Sequence, residues 1–485
     1  MLLNEQYEIV VGLEVHMQML TKSKAFAGDE AGYGALPNTL VSPITLGHPG
    51  TLPMFNEKVI EYAVKLGLAC GCEITEENQF ARKNYFYADL PKGYQITQDK
   101  TPICTGGAIL LRKDDGTEKK IGLTRIHMEE DAGKSMHDQD PFDSLVDLNR
   151  AGVPLLEMVS EPEIRSGEEA YAFLTEVRKL ARYLEICDGN MEEGSMRCDA
   201  NISVRKKGST VFGTKVEVKN MNSIRNVQRA IEFEASRQIA MLESGETIAQ
   251  ETRSFDAVNG TTFSLRSKEK ANDYRYFPEP DLCPVMIDEH YISKVKSVMP
   301  PLPDELYKRF TVDFQLSAYD AGVLSDSKPL ALFFNELASL TKNYKAAANW
   351  MSGPVKSFLN EQALEMEEFQ VKPEQLAAII QLIDDGKVSF SMASQKLFPA
   401  LIENPLTDVS TLAEKLNIIQ EDNSEMLEAW ITQAIEMYPE KVIEYKNGKH
   451  GLAGLFMGEV MKLSKGKADP KKTNQMLRYR LAQTN

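Results

Sequence analysis

Four short segments carry acid, base or amide side chains at every second position, with apolar residues between them. They are Glu14-Val15-His16, Arg125-Ile126-His127-Met128-Glu129, Asp199-Ala200-Asn201-Ile202-Ser203-Val204-Arg205 and Lys215-Val216-Glu217-Val218-Lys219. Side chains of a strand alternate between the two faces of its sheet. Each segment therefore sends its apolar residues toward a core and its ionisable residues the other way. One sheet built from all four would carry a face of carboxylates, imidazoles and cations. A hard cation such as Mg²⁺ takes oxygen ligands and tolerates an imidazole, so that face suits metal–nucleotide chemistry. A half-exposed strand is the plainer explanation of any one segment taken alone.

Other stretches add to the pattern. Arg82–Gln95 packs three tyrosines, Phe86 and the cations Arg82, Lys83 and Lys92 around a Pro91-Lys92-Gly93 turn. Aromatic faces stack bases and cations meet phosphates, so this reads as a lid over a nucleotide or acyl substrate, or else as a packing loop. Glu129-Glu130-Asp131 sets three carboxylates in a row, which repel one another unless cations neutralise them. Asp147–Glu157, Glu192–Asn201 and Glu217–Ser223 continue the mixture of acids with Arg150, Arg197, Lys219 and Asn220. Metal ions that bridge phosphates, and bases that cancel transition-state charge, use such a mixture.

Several chemistries are excluded. No Gly-x-x-x-x-Gly-Lys-Ser/Thr loop, Gly-x-Gly-x-x-Gly turn, His-Glu-x-x-His helix or Gly-x-Ser-x-Gly elbow occurs. A nucleotide would have to bind to the sheet. The six cysteines are scattered, and Cys70-Gly71-Cys72 lacks zinc or redox spacing, so reduced structural thiols are expected. No apolar run approaches the roughly 18–20 residues of a membrane span. The start, Met1-Leu2-Leu3-Asn4-Glu5, has no secretory signal, which predicts a cytosolic protein. A net charge of −16 argues against unspecific nucleic-acid binding. From Lys441 onward, however, ten Lys/Arg face three acids, and such a tail can mark a phosphate-backbone contact or simply a solvated helix.

The 485 residues suffice for two to four domains. Up to about Asp288 the pattern mixes strand and helix, with helices predicted at Asn56–Leu68, Ser166–Leu184 (opening on a Ser166-x-x-Glu169 capping box) and Asn222–Leu242. Residues 206–213 should turn the third polar strand back onto the fourth. The prolines from Pro278 to Pro303 predict a linker. Helical periods then dominate, at Asp304–Leu316, Pro329–Leu340, Tyr344–Met351, Pro373–Leu382, Ser410–Leu416 and Ser424–Met437, with a softer break near Pro405.

Longer strings make the pattern specific. Glu14-Val15-His16, Arg82–Tyr87, Asp89–Gln95, His127–Lys134, Asn149–Leu155, Met196–Asn201 and Asp273-Tyr274-Arg275-Tyr276-Phe277-Pro278 together resemble the B-type subunit of the glutamyl/aspartyl-tRNA amidotransferases (GatB), from about residue 7 to the C-terminus. The resemblance implies an α+β architecture in three parts. Residues 1–295 would form a cradle domain with a glutamine-synthetase-like mixed or antiparallel sheet. Residues 296–405 would form an all-α domain, and 406–485 a small YqeY-like tail that faces tRNA. It implies an ATP-dependent carbon–nitrogen ligase with glutamine as amido donor. ATP would phosphorylate the side-chain carboxylate of Glu-tRNA(Gln) or Asp-tRNA(Asn), and ammonia from an A-type glutaminase (amidase) partner would displace the phosphate. A small C-type partner would complete a heterotrimer.

Carried onto this chain, Glu14, His16, Glu129, Glu130, Asp199 and Glu217 are the candidate Mg²⁺-binding and catalytic face. Lys83 is the candidate contact for phosphate or carboxylate, with Arg150, Arg197, Lys219 and Asn220 in support. Lys462, Lys465, Lys467, Lys471 and Lys472 are the candidate tRNA contacts, giving salt-dependent affinity with little base specificity. One departure stands out. Many family members carry Cys-x-Cys and Cys-Pro-x-Cys where this chain has Ala27-Gly28-Asp29 and Ser42-Pro43-Ile44-Thr45. No zinc is expected there, and packing should hold the loop instead. Two other readings remain: a noncatalytic tRNA-binding scaffold, and a free-standing ligase acting on a small amino acid.

Overall fold

The computed structural model describes residues 6–112, 117–137, 139–267, 274–419, 424–464, 466, 468 and 470–483. It is α+β and divides into two compact units, up to Leu302 and from Pro303 onward.

The first unit is organised by β1 (Tyr7–Gln18), β2 (Ala81–Asn84), β3 (Tyr94–Thr97), β4 (Glu118–Glu130), β5 (Pro154–Ser160), β6 (Met196–Lys206), β7 (Val216–Lys219), β8 (Glu251–Asp256), β9 (Thr261–Ser267) and β10 (Arg275–Pro278). Its helices are α1 (Glu57–Cys70), α2 (Gly167–Tyr183) and α3 (Ile224–Glu243). Among the described residues a ten-stranded mixed sheet runs β9-β8-β7-β6-β1-β5-β4, continuing into the short strands Cys104–Thr105 and Glu73–Ile74, with Ala108–Arg112 paired to β4 off this path. Only the β7–β8 pair of that order is parallel.

All four polar-apolar segments lie in this sheet, and the expected turn does pair β6 antiparallel with β7. Leu13, Val15, Met17, Ile126, Met128, Leu156, Met158, Ala200, Ile202, Val216 and Val218 share one buried core with residues of α1, α2 and α3. Each of the Val, Leu, Ile and Met side chains among them contributes about 1.5–3 kcal/mol on full burial. A one-residue slip of any strand would drive its acids into that core, so both faces fix the register.

The helix ends follow local chemistry. Asn56 accepts the Lys58 amide, Ser166 the Glu169 amide and Ser223 the Asn226 amide. The Ser166 box differs from its expected form in one respect. The Glu169 carboxylate takes the amide of Arg165, one residue earlier than the cap itself.

The proline-rich stretch is not the plain linker expected. Arg275–Pro278 forms β10, the edge of a three-stranded sheet ordered β10-β2-β3, and Val285–Met286 pairs with Glu77–Asn78. Pro278 closes an edge strand, where its missing donor costs nothing. The buried carboxylate of Glu279 then accepts both Nε and Nη2 of Arg82 at 2.7 Å. Proline punctuation is the same in a linker and at a sheet edge; the buried ion pair distinguishes them.

The cysteine-free N-terminal loop is held by more than packing. Lys24 is fully buried, donates to the Leu40 carbonyl at 2.7 Å and lies 3.9 Å from the Asp29 carboxylate. Asp29 in turn accepts the Thr45 hydroxyl. A charged hydrogen-bond set thus joins Ala27-Gly28-Asp29 to Ser42-Pro43-Ile44-Thr45.

The second unit is helical. Helices at Pro303–Val312, Lys328–Leu340, Tyr344–Trp350 and Pro373–Asp384 match the predicted ones to within a few residues, as do Val409–Lys415 and Ser424–Glu436. Leu427, Ile431, Phe456, Val460, Leu477 and Leu481 share a core within the last part of the chain. No helix of the described residues is long and apolar enough to cross a membrane.

Candidate active site

The sheet register assembles the site from β1 outward. His16 stands opposite Glu157 of β5, and Glu157 stands opposite His127 of β4. On the other side of β1, Glu14 faces Asp199 of β6, and Glu217 of β7 lies diagonal to Asp199 through its partner Asn201. Directly opposed residues have Cβ atoms about 4.5–5.5 Å apart, close enough for side chains to share one ion. Two groups result, His16–Glu129–Glu157 and Glu14–Asp199–Glu217, each with ligand atoms within 4.8 Å of one another.

In the first group His16 Nδ1 lies 3.3 Å from Glu129 Oε1 and 3.9 Å from Glu157 Oε2. His127 Nε2 lies 3.0 Å from Glu157 Oε2 and 3.8 Å from Glu129 Oε2. Burial pushes the His16 imidazole down, but the Glu129 hydrogen bond and the charges of Glu157 and Glu129 outweigh it and raise it to about 9. Burial likewise favours protonated Glu157, yet His127, His16 and Lys83 hold it well below the usual carboxylate range. The buried His127 Nδ1 and Arg197 Nε have no hydrogen-bond partner among the described residues.

The second group is all carboxylate. Burial, followed by the charges of Glu157 and Asp199, raises Glu14. Asn201 Nδ2 donates to Glu14 at 2.9 Å and orients it. The Lys219 ammonium bonds Asp199 and lies 3.2 Å from Glu217; burial would lower it, but these acids raise it instead. Crowded, partly buried carboxylates that draw in a cation suit a hard divalent ion, and the group with an imidazole suits a second one.

The remaining predicted residues fall into three sets. Lys83 of β2 stands 4.8 Å over the Tyr274 ring, and Glu129 and Glu157 raise its ammonium against the effect of burial. Arg197 donates to Asp131 at 2.8 Å, while Arg150 lies 3.6 Å from Asp131 and donates to the Ala132 and Gly133 carbonyls at 3.0 and 2.6 Å. Arg150 therefore braces the acidic loop. Burial would raise Asp131, but Arg197 and Arg150 keep it low. Asn220, at φ 65°, donates to Ser254 at 2.9 Å and turns the chain out of β7.

Glu130 is not brought into either group. It is next to Glu129 on a strand, so alternation turns it to the reverse face. There it accepts the Lys92 ammonium and the Ile96 amide, the latter at 2.8 Å. In the tail, Lys462 is exposed at 3.8 Å from Glu459, and Lys472 is exposed on the last helix. Lys465 and Lys467, and the side chain of Lys471, lie outside the described residues.

Glu157 completes the first group and His127 flanks it, yet sequence reasoning did not select them. The signal for Glu157 was present. It is the only acid in Pro154-Leu155-Leu156-Glu157-Met158-Val159-Ser160, an otherwise apolar strand. His127 shared a face with Arg125 and Glu129 by simple alternation.

Comparison with known proteins adds an independent line. A model of the GatB/GatE catalytic domain matches residues 9–293, and a model of the GatB domain of the YqeY kind matches residues 332–481. The chain is 48% identical over 472 residues to the B-type subunit of the aspartyl/glutamyl-tRNA(Asn/Gln) amidotransferase of Thermodesulfovibrio yellowstonii, covering 97% of this chain and 98% of that protein. It is 48% identical over 477 residues to the protein of the same name from Alkalilimnicola ehrlichii, covering 98% and 99%. With that from Caldicellulosiruptor bescii it shares 47% identity over 480 residues, again covering 98% and 99%.

Proposed function

The chain belongs to the GatB/GatE family, and from that premise we propose that it is the amide-forming subunit of a tRNA-dependent amidotransferase. Its substrates are Glu-tRNA(Gln), Asp-tRNA(Asn) or both, and it works with an A-type glutaminase and a small C-type partner in a heterotrimer in the cytoplasm. We assign the first unit as a glutamine-synthetase-like cradle. The helical part, residues 296–405, and the tail from residue 406 serve as separate modules, and the tail meets tRNA. The observation that carries this reading is the pair of ligand groups on one sheet face, His16–Glu129–Glu157 and Glu14–Asp199–Glu217.

A carboxylate is a poor electrophile, so its oxygen must be activated before an amine attacks. The γ-phosphoryl group of ATP passes to the side-chain carboxylate of the aminoacyl-tRNA, giving an acyl phosphate and ADP. Ammonia attacks the acyl carbon, and phosphate leaves. Glu14, Asp199 and Glu217 would hold Mg²⁺, with His16, Glu129 and Glu157 as a second ligand set; when bound, the metal would supply positive charge against the phosphates. Lys83 and Arg197 add positive charge at the rim of the same face, where a transferring phosphoryl group gathers negative charge. Lys219 pairs with Asp199 and Glu217 and offsets the crowded charge of the acids that would hold the cation. Glu129, between two imidazoles, is our choice for the group that takes a proton from the incoming nitrogen.

The test is a reconstituted heterotrimer with ATP, ammonium and each charged tRNA in turn. Amide formation should require ATP and should vanish in the His16→Ala, Glu129→Ala double variant while tRNA still binds. Retained turnover in that variant would remove the site assignment. Absence of any ATP turnover with charged tRNA would favour the noncatalytic scaffold.

A further inference from the structure

The polar face uses the acids and cations of the first unit but leaves unexplained an aromatic pocket beside them. Tyr85, Phe86, Tyr87, Tyr274, Arg275 and Phe277 line a cavity of about 600 Å³, and small-molecule sites span roughly 300–1,000 Å³. Tyr85 packs against Tyr87 and Tyr274 with ring centroids 5.7 and 5.6 Å apart. Phe86 is 88% exposed and Tyr87 56% exposed, a large apolar surface for one short loop to present.

The wall is built rather than loose. Tyr85 N donates to Gly93 O at 3.3 Å, Gly93 N to Leu90 O at 3.0 Å and Leu90 N to Tyr87 O at 3.1 Å. Gly93 sits at φ 75°, and a Cβ there would come within 3.3 Å of the Phe86 ring. The opposite wall comes from β10, whose Tyr276 pairs with Lys83 in register. Lys83 links pocket and acids, its ammonium 4.8 Å over Tyr274 and 5.8 Å over Tyr85 and drawn by Glu129 and Glu157.

We propose that this pocket binds a purine nucleoside, and specifically the adenosine at the 3′ end of the aminoacyl-tRNA. The assignment rests on the function proposed above. Tyrosine and phenylalanine walls take a flat π-system, and Arg275, which also lines the pocket, meets the phosphodiester on the 5′ side of that adenosine. The Lys83 ammonium over the Tyr274 and Tyr85 rings is the group drawn by Glu129 and Glu157, so the acids lie on the Lys83 side of the pocket. A single aminoacyl arm on the ribose reaches that side and delivers its carboxylate to Lys83 and the metal-ligand face. ATP offers the same adenine, but on a longer triphosphate arm.

The probe is 3′-glutamylamido-3′-deoxyadenosine, which cannot hydrolyse, titrated by calorimetry into the complete complex. The Tyr85→Ala, Tyr274→Ala double variant should bind it roughly tenfold to a hundredfold more weakly. The corresponding Phe variants should bind as wild type does, and the KM for ATP should not move. A rise in the KM for ATP with unchanged probe binding would overturn the acceptor-end assignment and give the pocket to the nucleotide. Unchanged affinity for both would overturn the pocket altogether. Should the Ala variant fail to fold, photolysis of the 8-azido form of the probe on wild-type complex decides the matter. Crosslinks on Tyr85 or Tyr274 support the assignment, and crosslinks only elsewhere refute it. Binding is read without turnover, so a complex that binds the probe through these tyrosines yet forms no amide would fault the proposed reaction and not the pocket.

Discussion

Glu129 and Glu130 are neighbours in sequence, and the fold gives them opposite tasks; exchanging charge for amide at each face separates them. Glu130 is almost fully buried and accepts the Ile96 amide at 2.8 Å as well as the Lys92 ammonium. Breaking a buried ion pair costs about 3–5 kcal/mol, and a hydrogen bond to a charged group is worth about 1.5–3 kcal/mol. Lys92 retains 12% side-chain exposure and can partly rehydrate, so Glu130→Gln should cost about 3 kcal/mol of stability. Its turnover under folded conditions should stay near wild type. Glu157→Gln keeps the volume but removes a charge shared by two imidazoles and Lys83. It should lower turnover by about 10²–10³-fold, roughly 3–4 kcal/mol at the transition state, with a smaller loss of stability. Urea denaturation followed by circular dichroism reads the first quantity, and ammonium-dependent amide formation at saturating ATP reads the second. Equal rate losses in the two variants, with the Glu130→Gln urea midpoint unmoved, would refute the division of labour.

Four further outcomes follow from the same geometry. Arg82→Lys cannot reproduce the two-pronged bond to buried Glu279 and should lower stability by about 2–3 kcal/mol, measured as a urea midpoint shift. Burial lowers the Lys24 ammonium to about 8, against the pull of Asp29, Glu130 and Asp147. The unfolded chain then holds more protons than the folded one between about pH 8 and pH 10.4, so this group's contribution to stability rises with pH across that window. The urea stability of wild type relative to Lys24→Met should therefore improve from pH 7.5 to pH 9.5, as roughly set by that window, and a flat or falling difference would contradict it. Hydrogen bonds from Cys104 and Cys70 pull the Cys72 thiol down, so at mildly acidic pH iodoacetamide should label Cys72 before the exposed Cys283, as peptide mass spectrometry can show. If Lys462 and Lys472 touch the tRNA backbone, replacing both with Ala should reduce the slope of log affinity against log salt by about 1.8, and an unchanged slope would remove them from the interface.

What could be read from the sequence was set by periodicity. The alternation in Glu14-Val15-His16 and in residues 199–205 gave strand, face and chemical class at once, because a two-residue repeat has few other physical meanings. Helix positions after Pro303 were legible for the same reason. Three features were not. Glu157 is a lone acid whose importance comes from strands far away in sequence, His16 on one side and His127 on the other. Glu130 carries the same chemistry as Glu129, and only the strict alternation of β4 turns it toward Lys92. The prolines near 278 looked like a linker because proline reports local backbone limits and not the buried partner, Arg82, that Glu279 meets.

The N-terminal loop is closed by a buried ammonium, a carboxylate and a hydroxyl. Such a clasp draws nothing from the cell's supply of transition metals, and peroxide finds nothing in it to oxidise. Alkali strips the charge from Lys24 and relieves the cost of burying it, and a chelator should leave the loop untouched.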